Sequence, residues 1–375
     1  MSATVDRRQL LKTMGTAAAG FAAGCATGGR RAAFLDVPRR FARVRVAPDR
    51  VIRTVAGLRP YRPSGFVVRA EKLDGRLVVH HYGHGGAGVS LSWGTAALAV
   101  EEAAPSGARR YAVLGCGAVG LATARLLQRR GHDVVIYARD LPPNTTSNVA
   151  GAEWGTFSVA EPSRRTPAFA EQLVRAARLS HRMFQDLVGE RYGVRWLDAY
   201  ELAGAAPAAR RGDAVSEALA ELQTASHELA RNEHPFDRPY ARQFTTMLIE
   251  PPVYLEALLA DFRLAGGKVV VREFRDRRAL LDLPEPVVVN CTGLGSRALF
   301  GDEEMVPAKG QLSVLVPQPE VDYAVLTDNL LYMFPRRDGI LLGGTFERGE
   351  WSLTPDPAAA ERILQGHMAL FGRTG

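Results

Sequence analysis

The sequence predicts an α/β protein that combines a mostly parallel sheet flanked by helices with a second part built on a mostly antiparallel sheet. Between residues 110 and 137, a short apolar strand, a glycine-rich turn, a helix and another strand follow one another. The apolar run Val287–Asn290 also ends close to glycines, which suits a strand buried in a parallel sheet. Alternating apolar and polar residues after Gln311, and again near Leu341, indicate antiparallel strands.

The turn after the strand Tyr111–Leu114 has the spacing GxGxxG and opens a helix. In a unit that binds the ADP half of a dinucleotide, the first glycine makes the tight turn, the second admits the pyrophosphate, and the third lets helix and strand pack closely. The helix N-terminus offers free N–H groups to the phosphates. We therefore predict a Rossmann-like dinucleotide-binding domain; the alternative is a glycine-rich connector in an ordinary core. The predicted contacts are Gly115, Gly117, Ala118, Val119 and Gly120.

The dinucleotide need not be NAD. After the second strand, Asp133–Tyr137, the carboxylate that usually binds the ribose is displaced to Asp140, behind Arg139. A polar loop rich in hydroxyl groups then runs from residue 142 to residue 151 and offers many donors to a large polar ligand. Its candidate cofactor contacts are Thr145, Thr146, Ser147 and Gly151.

Residues 1–24 have the pattern of an export signal. Arg7 and Arg8 precede a modest apolar run that is too short to span a membrane. Twin arginines before such a run mark the export of folded, often cofactor-loaded bacterial proteins. The residues before Cys25 also resemble a lipoprotein cleavage site, so we expect a protein that is periplasmic or, if Cys25 is lipidated, anchored to the membrane. Residues 25–42 read as a linker.

The net charge of +7 does not indicate a nucleic-acid partner, because only four of the 47 basic residues are lysines and the arginines are scattered rather than striped. Cys116 and Cys291 are expected to be reduced and buried. Three histidines at positions 80, 81 and 84 have no further ligand at metal-binding spacing nearby, so we expect no metal.

The prolines between Arg59 and Pro63 forbid a helix and hold an extended path, on which Arg59 and Arg62 are placed to grip an anion. A hairpin is predicted around Asp74-Gly75, and a glycine loop from Gly83 to Gly88 then leads into a helix. Helical periodicity or composition further predicts helices at residues 169–187, 214–230 and 251–264, and a strand at 268–274.

Together these segments resemble the D-amino-acid oxidase family of FAD enzymes over nearly all of residues 43–372. The segments that carry the resemblance are 57–63, 81–88, 290–293, 309–311 and 343–351. The resemblance implies FAD as cofactor, with Arg59 binding the substrate carboxylate and Tyr332 sharing it. The further cofactor contacts that it implies are Arg139, Asp140, Cys291, Thr292, Gly293, Gly85, Gly86, Ala87, Gly88, Val89 and Ser90.

The order of these segments departs from the family, in which the arginine segment and the glycine loop ordinarily follow the antiparallel sheet. Here they precede GxGxxG, which indicates a circular permutation in which residues 43–104 supply the missing tail. The alternative is a swapped homodimer in which these residues complete a neighbour's site. The predicted domains are discontinuous: residues 43–63, 160–246 and 303–375 bind substrate, and residues 64–159 and 247–302 bind FAD.

The activity that the resemblance implies is oxidative deamination of a D-amino acid to the imino acid and then the keto acid, with hydride transfer to flavin N5. Electrons then pass to O2 or another acceptor. Alternatives are a glycine- or sarcosine-type amine oxidase or dehydrogenase, an NAD-dependent dehydrogenase, and a flavin-binding protein without catalysis. Gly155 and Glu153 depart from the family's pocket residues, and we expect Glu153 to be a surface carboxylate paired with an arginine.

Overall fold

The computed structural model describes residues 41–206 and 213–372. The predicted export signal, Cys25 and nearly all of the predicted linker lie outside these residues. Within them, no helix is both long enough and apolar enough to cross a membrane.

Fifteen strands and seven α-helices are found in the described residues, together with short 3-10 turns. The strands are β1 (Val51–Tyr61), β2 (Val67–Leu73), β3 (Arg76–Tyr82), β4 (Arg110–Leu114), β5 (Asp133–Ala138), β6 (Val194–Ala203), β7 (His227–Leu229), β8 (Tyr240–Ile249), β9 (Lys268–Val271), β10 (Val287–Asn290), β11 (Val306–Leu315), β12 (Tyr323–Thr327), β13 (Tyr332–Arg336), β14 (Gly339–Gly343) and β15 (Glu347–Arg348). The helices are α1 (Ser92–Ala103), α2 (Ala118–Arg129), α3 (Pro167–Asp186), α4 (Ala214–Ala218), α5 (Pro251–Leu264), α6 (Gly295–Phe300) and α7 (Pro357–Phe371).

The first sheet has six strands in the order β2-β3-β10-β4-β5-β9. Only the β2–β3 pair is antiparallel, and the other neighbours are parallel. Its apolar side chains point to both faces, because helices α1, α2 and α5 cover one face while α6 and the 3-10 turn at Arg277–Leu280 cover the other. The predicted parallel sheet, with β10 beside β4, is confirmed.

The second sheet has nine strands in the order β1-β11-β14-β13-β12-β6-β8-β7, with β15 beside β11. All neighbours are antiparallel except β12 and β6. This confirms the predicted mostly antiparallel part. One face carries an apolar cluster that includes Leu197, Leu312, Phe334 and Leu341.

The predicted helix at residues 214–230 is wrong beyond its first turn. Helix α4 ends at Ala218, and the chain then turns into β7, which pairs with β8. Thr224 accounts for the change, since its hydroxyl donates to the Thr245 carbonyl and accepts from the Thr245 N–H, at 2.8 and 2.9 Å. Tertiary pairing with the sheet edge therefore overrides a local helical pattern.

Residues 43–104 contribute to both sheets of their own chain. Strand β1 runs antiparallel to β11 from Val51, opposite Leu315, to Tyr61, opposite Val306. Strand β3 lies parallel to β10 and continues the first sheet beyond it. The hairpin predicted around Asp74-Gly75 joins β2 and β3, as both residues adopt the positive φ angles (45° and 84°) that a tight two-residue turn requires.

Candidate active site

Four adjacent parallel strands, β3, β10, β4 and β5, end at one edge of the first sheet. The segments that leave this edge are the glycine loop after Tyr82, the turn at residues 291–293, the GxGxxG turn, and Arg139 with Asp140. Ligands of open α/β sheets bind beyond the carboxyl ends of the strands. The topology thus brings together, at one edge, segments that lie as much as 210 residues apart in the sequence.

The GxGxxG turn forms a cradle that only glycine fits, because a side chain at its glycines would clash with neighbouring backbone or occupy the space for a ligand. Gly115 has a φ of +110°, and a Cβ atom there would lie 2.6 Å from the Cys291 carbonyl oxygen. A Cβ on Gly120 would lie 2.1 Å from the Gly115 carbonyl oxygen, so this glycine lets α2 pack onto β4. Helix α2 begins directly after Gly117, and its first-turn N–H groups and positive dipole end suit a pyrophosphate. The residues present fit a bound dinucleotide.

Ser147 lies at the mouth of this cradle. Its hydroxyl accepts a hydrogen bond from the Ala118 N–H at 3.1 Å, and it would be 3.0 Å from a Cβ on Gly117. The hydroxyls of Thr145 and Thr292 instead donate within their own loops, to Asn148 and Asn290, both at 2.7 Å. Of these three hydroxyls, that of Ser147 is the one bonded to the helix N-terminus.

The remaining predicted contacts at this edge have protein partners of their own. Arg139 donates to Asp140 at 2.8 Å, and its guanidinium lies 3.6 Å from Glu273. Asp140 and, to a smaller extent, Glu273 raise the pKa of Arg139. Cys291 and Cys116 are free thiols, and burial raises the pKa of each to about 12, so both are neutral. Cys116 is buried as expected, whereas Cys291 is only partly buried.

The glycine loop before α1 packs tightly against residues 157–158. Gly85 has a φ of +57°, and its Cβ would lie 2.0 Å from the Ser158 carbonyl oxygen. Ser90 supports the neighbouring chain, because its hydroxyl accepts from the Gly155 N–H at 3.2 Å and donates to the Glu153 carbonyl at 3.4 Å. The other members of the loop, Gly86, Ala87, Gly88 and Val89, connect these two contacts.

The three histidines near this loop have ordinary hydrogen-bond partners. His80 contacts Glu71, His81 contacts Thr123 at 3.0 Å and His84 contacts Thr95 at 2.9 Å. Burial lowers the pKa of His84 to about 3, so its ring is neutral. Across the part of the chain that the structure describes, no cluster of three or more such side chains is arranged to hold a metal ion.

Arg59 and Tyr332 project from the same face of the second sheet. Residues directly opposite each other in a pair share a face, and so do residues two apart in one strand. Arg59 pairs with Ala308, and four residues along β11 Leu312 pairs with Gly343. Gly343 also pairs with Tyr332. The register therefore aligns the two side chains, although 273 residues separate them in the sequence.

Two glycines let these side chains converge. The guanidinium of Arg59 lies across Gly310, where a Cβ atom would be 2.3 Å from Nη1. The ring of Tyr332 lies across Gly343, where a Cβ atom would be 2.0 Å from Cζ. Gly310 and Gly343 are diagonal neighbours on adjacent strands, a relation that separates residues by about 7 Å. The guanidinium and the phenol therefore lie over glycines about 7 Å apart, a separation that one carboxylate can bridge.

Arg59 keeps its charge available. Its only close polar contact in residues 41–206 and 213–372 is the Ala308 carbonyl at 3.5 Å, and its guanidinium lies 5.5 Å from the centre of the Phe346 ring. A cation–π contact orients a guanidinium without neutralising it. Arg62, also predicted to grip an anion, is instead paired with Asp302 at 3.0 Å and Glu304 at 2.6 Å, so that prediction is wrong for Arg62.

The Arg59 segment lies against the cofactor loops. A Cβ on Gly293 would be 3.7 Å from Pro60, and a Cβ on Gly57 would be 3.0 Å from Val149 in the polar loop. Gly151, farther along that loop, would place a Cβ 3.6 Å from the Tyr332 ring. Arg59 and Tyr332 are therefore adjacent to the segments predicted to contact the cofactor.

Glu153 is not the arginine-paired surface carboxylate that we expected. Its carboxyl accepts a hydrogen bond from the Thr246 hydroxyl at 2.9 Å, and its backbone bridges to Leu248. Burial, together with the negative charge of Glu201, raises its pKa to about 8. No arginine or lysine in the described residues pairs with it. The sequence around Glu153 could not show that this residue would lie against Thr246 and Leu248, which are more than 90 residues away.

Phe346, Gly310 and Gly343 are functional candidates that sequence reasoning did not assign. Gly310 and Gly343 fall inside segments that carry the family resemblance, but only the sheet register reveals what lies above them. Thr246 sits in β8, a strand that the sequence analysis did not predict because polar and apolar residues alternate poorly from Tyr240 to Thr245.

Replacing Gly343 by alanine should impair substrate binding without loss of cofactor. The new methyl group must displace the Tyr332 ring, and misplacement of a binding group by about 1 Å can cost up to about a hundredfold in rate. We expect kcat/KM to fall about 10- to 100-fold with full flavin content. The matched control is Gly204→Ala, where the nearest atom is a carboxylate oxygen 3.8 Å away. Unchanged kinetics in Gly343→Ala would contradict the placement of Tyr332.

A dinucleotide cradle lies beside an arginine and a tyrosine whose side chains have no ion-pair partner in the described residues, an arrangement that suits a dinucleotide-dependent oxidoreductase. The family model of FAD-dependent oxidoreductases abbreviated DAO matches residues 110–373. The chain belongs to this family, and FAD is its cofactor, which confirms the sequence prediction. It is thus an FAD-dependent oxidoreductase of the superfamily that contains the amino-acid oxidases.

Two curated relatives share about a third of the aligned residues. A D-amino-acid oxidase of Rubrobacter xylanophilus is 34% identical over 269 residues, which cover 70% of this chain and 78% of that protein. A D-amino-acid oxidase of Streptomyces coelicolor is 34% identical over 274 residues, which cover 69% of this chain and 76% of that protein. A solved structure of glycine oxidase from Geobacillus kaustophilus matches with a TM-score of 0.51 at 18% identity, over 70% of this chain and 78% of that chain. This last similarity concerns the fold alone.

Proposed function

We propose that the protein oxidises a D-amino acid to the imino acid, which water then converts to the keto acid and ammonia. The observation that carries the proposal is the convergence of an unpaired Arg59 and the Tyr332 ring above Gly310 and Gly343. A planar guanidinium next to a phenol hydroxyl suits the two oxygens of an α-carboxylate. The relatives named as D-amino-acid oxidases support the choice of substrate class.

The chain's own residues bind and orient the substrate. Arg59 would hold the carboxylate through two parallel N–H bonds, and Tyr332 would donate a third. Fixing the carboxylate sets the direction of the Cα–H bond, so positioning supplies much of the catalysis. FAD, when bound at Gly115, Gly117 and Gly120, supplies the acceptor for the hydride. The amino group reacts in its neutral form, and we assign no protein base.

Product analysis tests this function. FAD-loaded protein incubated with a panel of D-amino acids should form keto acid and ammonia in equal amounts, whereas L-amino acids should give neither. Keto acid formed from sarcosine or glycine, with none from larger D-amino acids, would favour the secondary-amine alternative. No product from any amine would indicate a flavin-binding protein without this activity.

We further propose that the chain is circularly permuted and that residues 43–104 complete the site of their own chain. The family match begins only at residue 110, and the two relatives are matched over about three quarters of their length. The unmatched residues supply β1 and β3, which pair within the same chain to β11 and β10. Both facts support a tail relocated to the front.

Moving residues 43–104 behind residue 375 should restore the ordinary order without loss of function. The packed contacts stay the same, so only loop closure changes, at a cost of about 1 kcal/mol. We expect the rearranged protein to retain flavin and activity, with activity per molecule independent of dilution. Loss of flavin in a folded rearranged chain would contradict the permutation. Activity that falls on dilution of the parent protein would support the swapped dimer instead.

Export by the twin-arginine route is a separate proposal, supported by residues 1–24 of the sequence alone. Changing Arg7 and Arg8 to lysine preserves the charge but should retain the protein in the cytoplasm. Cell fractionation with a matched control, Arg30→Lys and Arg31→Lys in the predicted linker, checks this expectation. Normal export of the first variant would show that the paired arginines are not a signal.

A further inference from the structure

Glu153 lies beside the carboxylate-binding pair rather than on an outer surface. Gly151, two residues earlier, is in contact range of the Tyr332 ring, since a Cβ atom there would be 3.6 Å from Cε2. Two residues of extended chain span about 7 Å, so the Glu153 backbone lies within about that distance of the contact. The Glu153 side chain therefore begins close enough to the Tyr332 ring for a long substrate side chain to span the gap.

Glu153 shares the sheet face that carries Arg59 and Tyr332. Leu326 pairs with both Tyr332 and Glu201, which places Glu201 on that face. Leu197, four residues before Glu201 on β6, pairs with Thr246, whose hydroxyl donates to Glu153. The carboxyl is thus held against the same surface from which the anion-binding pair projects.

The two ends of this surface have opposite polarity. The end with Arg59 presents a guanidinium that no carboxylate in the described residues neutralises. At the other end the carboxyl of Glu153 has no basic partner among the described residues, while the neighbouring Glu201 forms an ion pair with Arg242. Burial and the charge of Glu201 raise the pKa of Glu153 to about 8. A cation beside Glu153 would offset both the burial and the repulsion by Glu201, because it stabilises the ionised carboxylate.

We propose that Glu153 selects substrates with a long cationic side chain, accepting hydrogen bonds from a guanidinium or ammonium group while Arg59 and Tyr332 hold the α-carboxylate. This inference rests on the proposed function and names its substrate class: D-arginine or D-lysine rather than short or anionic D-amino acids. The side chain of arginine has five N–H donors, enough to reach both oxygens of the Glu153 carboxylate.

Arginine and its uncharged isostere citrulline provide the sharpest comparison. We expect the native protein at about pH 8.5, above the pKa of Glu153, to oxidise D-arginine with a kcat/KM at least about tenfold above that for D-citrulline, as a charge-assisted hydrogen bond provides. Glu153→Gln should bring the ratio close to one, mainly through a higher KM for D-arginine. The matched control, Glu161→Gln, removes a surface carboxylate that pairs with Arg348 and should leave the ratio unchanged.

A binding measurement separates recognition from turnover. 5-Guanidinopentanoic acid has the arginine side chain but no α-amine, so it cannot be deaminated. It should raise the Tm of the FAD-loaded native protein more than the neutral 5-ureidopentanoic acid does, and Glu153→Gln should abolish the difference.

Each outcome has a definite meaning for the inference. Equal oxidation of D-arginine and D-citrulline by the native protein, or an unchanged ratio in Glu153→Gln, would overturn it while leaving D-amino-acid oxidation intact. An equal loss of kcat with both substrates in Glu153→Gln would also overturn it, since it would indicate a role in proton transfer. Failure of every D-amino acid in the panel to form keto acid would instead reject the proposed function, on which the inference rests.

Discussion

Replacing Arg59 by leucine is expected to lower kcat/KM for the D-amino-acid substrate by about 100- to 1,000-fold, because removing one partner of a hydrogen-bonded charge pair costs about 2–5 kcal/mol. The loss should appear chiefly in KM, with flavin content unchanged, since Arg59 contacts Phe346 and the Ala308 carbonyl rather than the GxGxxG cradle. Arg59→Lys should recover little of the loss, because a point charge lacks the planar fork. Steady-state kinetics with the flavin spectrum as a check measure both effects.

Arg348 offers the matched control for Arg59. Its guanidinium also lies over the Phe346 ring, at 5.8 Å, but it is paired with Glu161 at 2.6 Å. Arg348→Ala should therefore change kcat/KM only slightly, as exposed ion pairs contribute about 0–1 kcal/mol. If Arg348→Ala and Arg59→Leu were equally impaired, or if KM were unchanged in Arg59→Leu, the carboxylate role of Arg59 would be wrong.

Gly117→Val is expected to yield a folded protein without FAD. The nearest atom to a new Cβ is the Ser147 hydroxyl at 3.0 Å, the movable end of a small side chain, so the polypeptide can adjust. The pyrophosphate cannot, because this glycine is where the backbone must approach it closely. We expect the purified variant to be colourless, with flavin absorbance reduced at least about tenfold.

The control for this change is a glycine-to-valine replacement in open surroundings. Gly204 has no positive φ and no atom closer than 3.8 Å to its Cβ position, so Gly204→Val should retain flavin. Circular dichroism of both variants confirms folding. Full flavin occupancy in a folded Gly117→Val protein would contradict the assignment of the cradle.

The architecture and the cofactor could be predicted because they depend on short segments with strong local requirements. Gly115 needs a positive φ, and Gly120 must lie against its carbonyl oxygen, so the pattern of the turn is visible in the sequence itself. The apolar run of β10 similarly indicates a strand that is buried on both faces. Resemblance to a known family then connected Arg59 to Tyr332, a pairing that no local pattern reveals.

Other features depend on which distant strands lie side by side. Thr224 bonds to Thr245 and ends a pattern that resembles a helix, and only the tertiary structure shows that contact. Arg62 was predicted to be free for a ligand, but Asp302, 240 residues away, and the nearby Glu304 neutralise it. Glu153 was expected to be a surface carboxylate paired with an arginine because unpaired carboxylates are rarely buried, yet its carboxyl accepts from the Thr246 hydroxyl instead.

Anaerobic reduction of the bound flavin tests the central claim most directly, because it requires neither a particular electron acceptor nor turnover. The account predicts that the yellow protein loses its visible absorbance on mixing with a D-amino acid, fastest with D-arginine or D-lysine, and keeps it with the L-enantiomers. Arg59→Leu should bleach far more slowly at the same substrate concentration. Flavin that stays oxidised with every D-amino acid, or that is reduced equally by both enantiomers, would contradict the account.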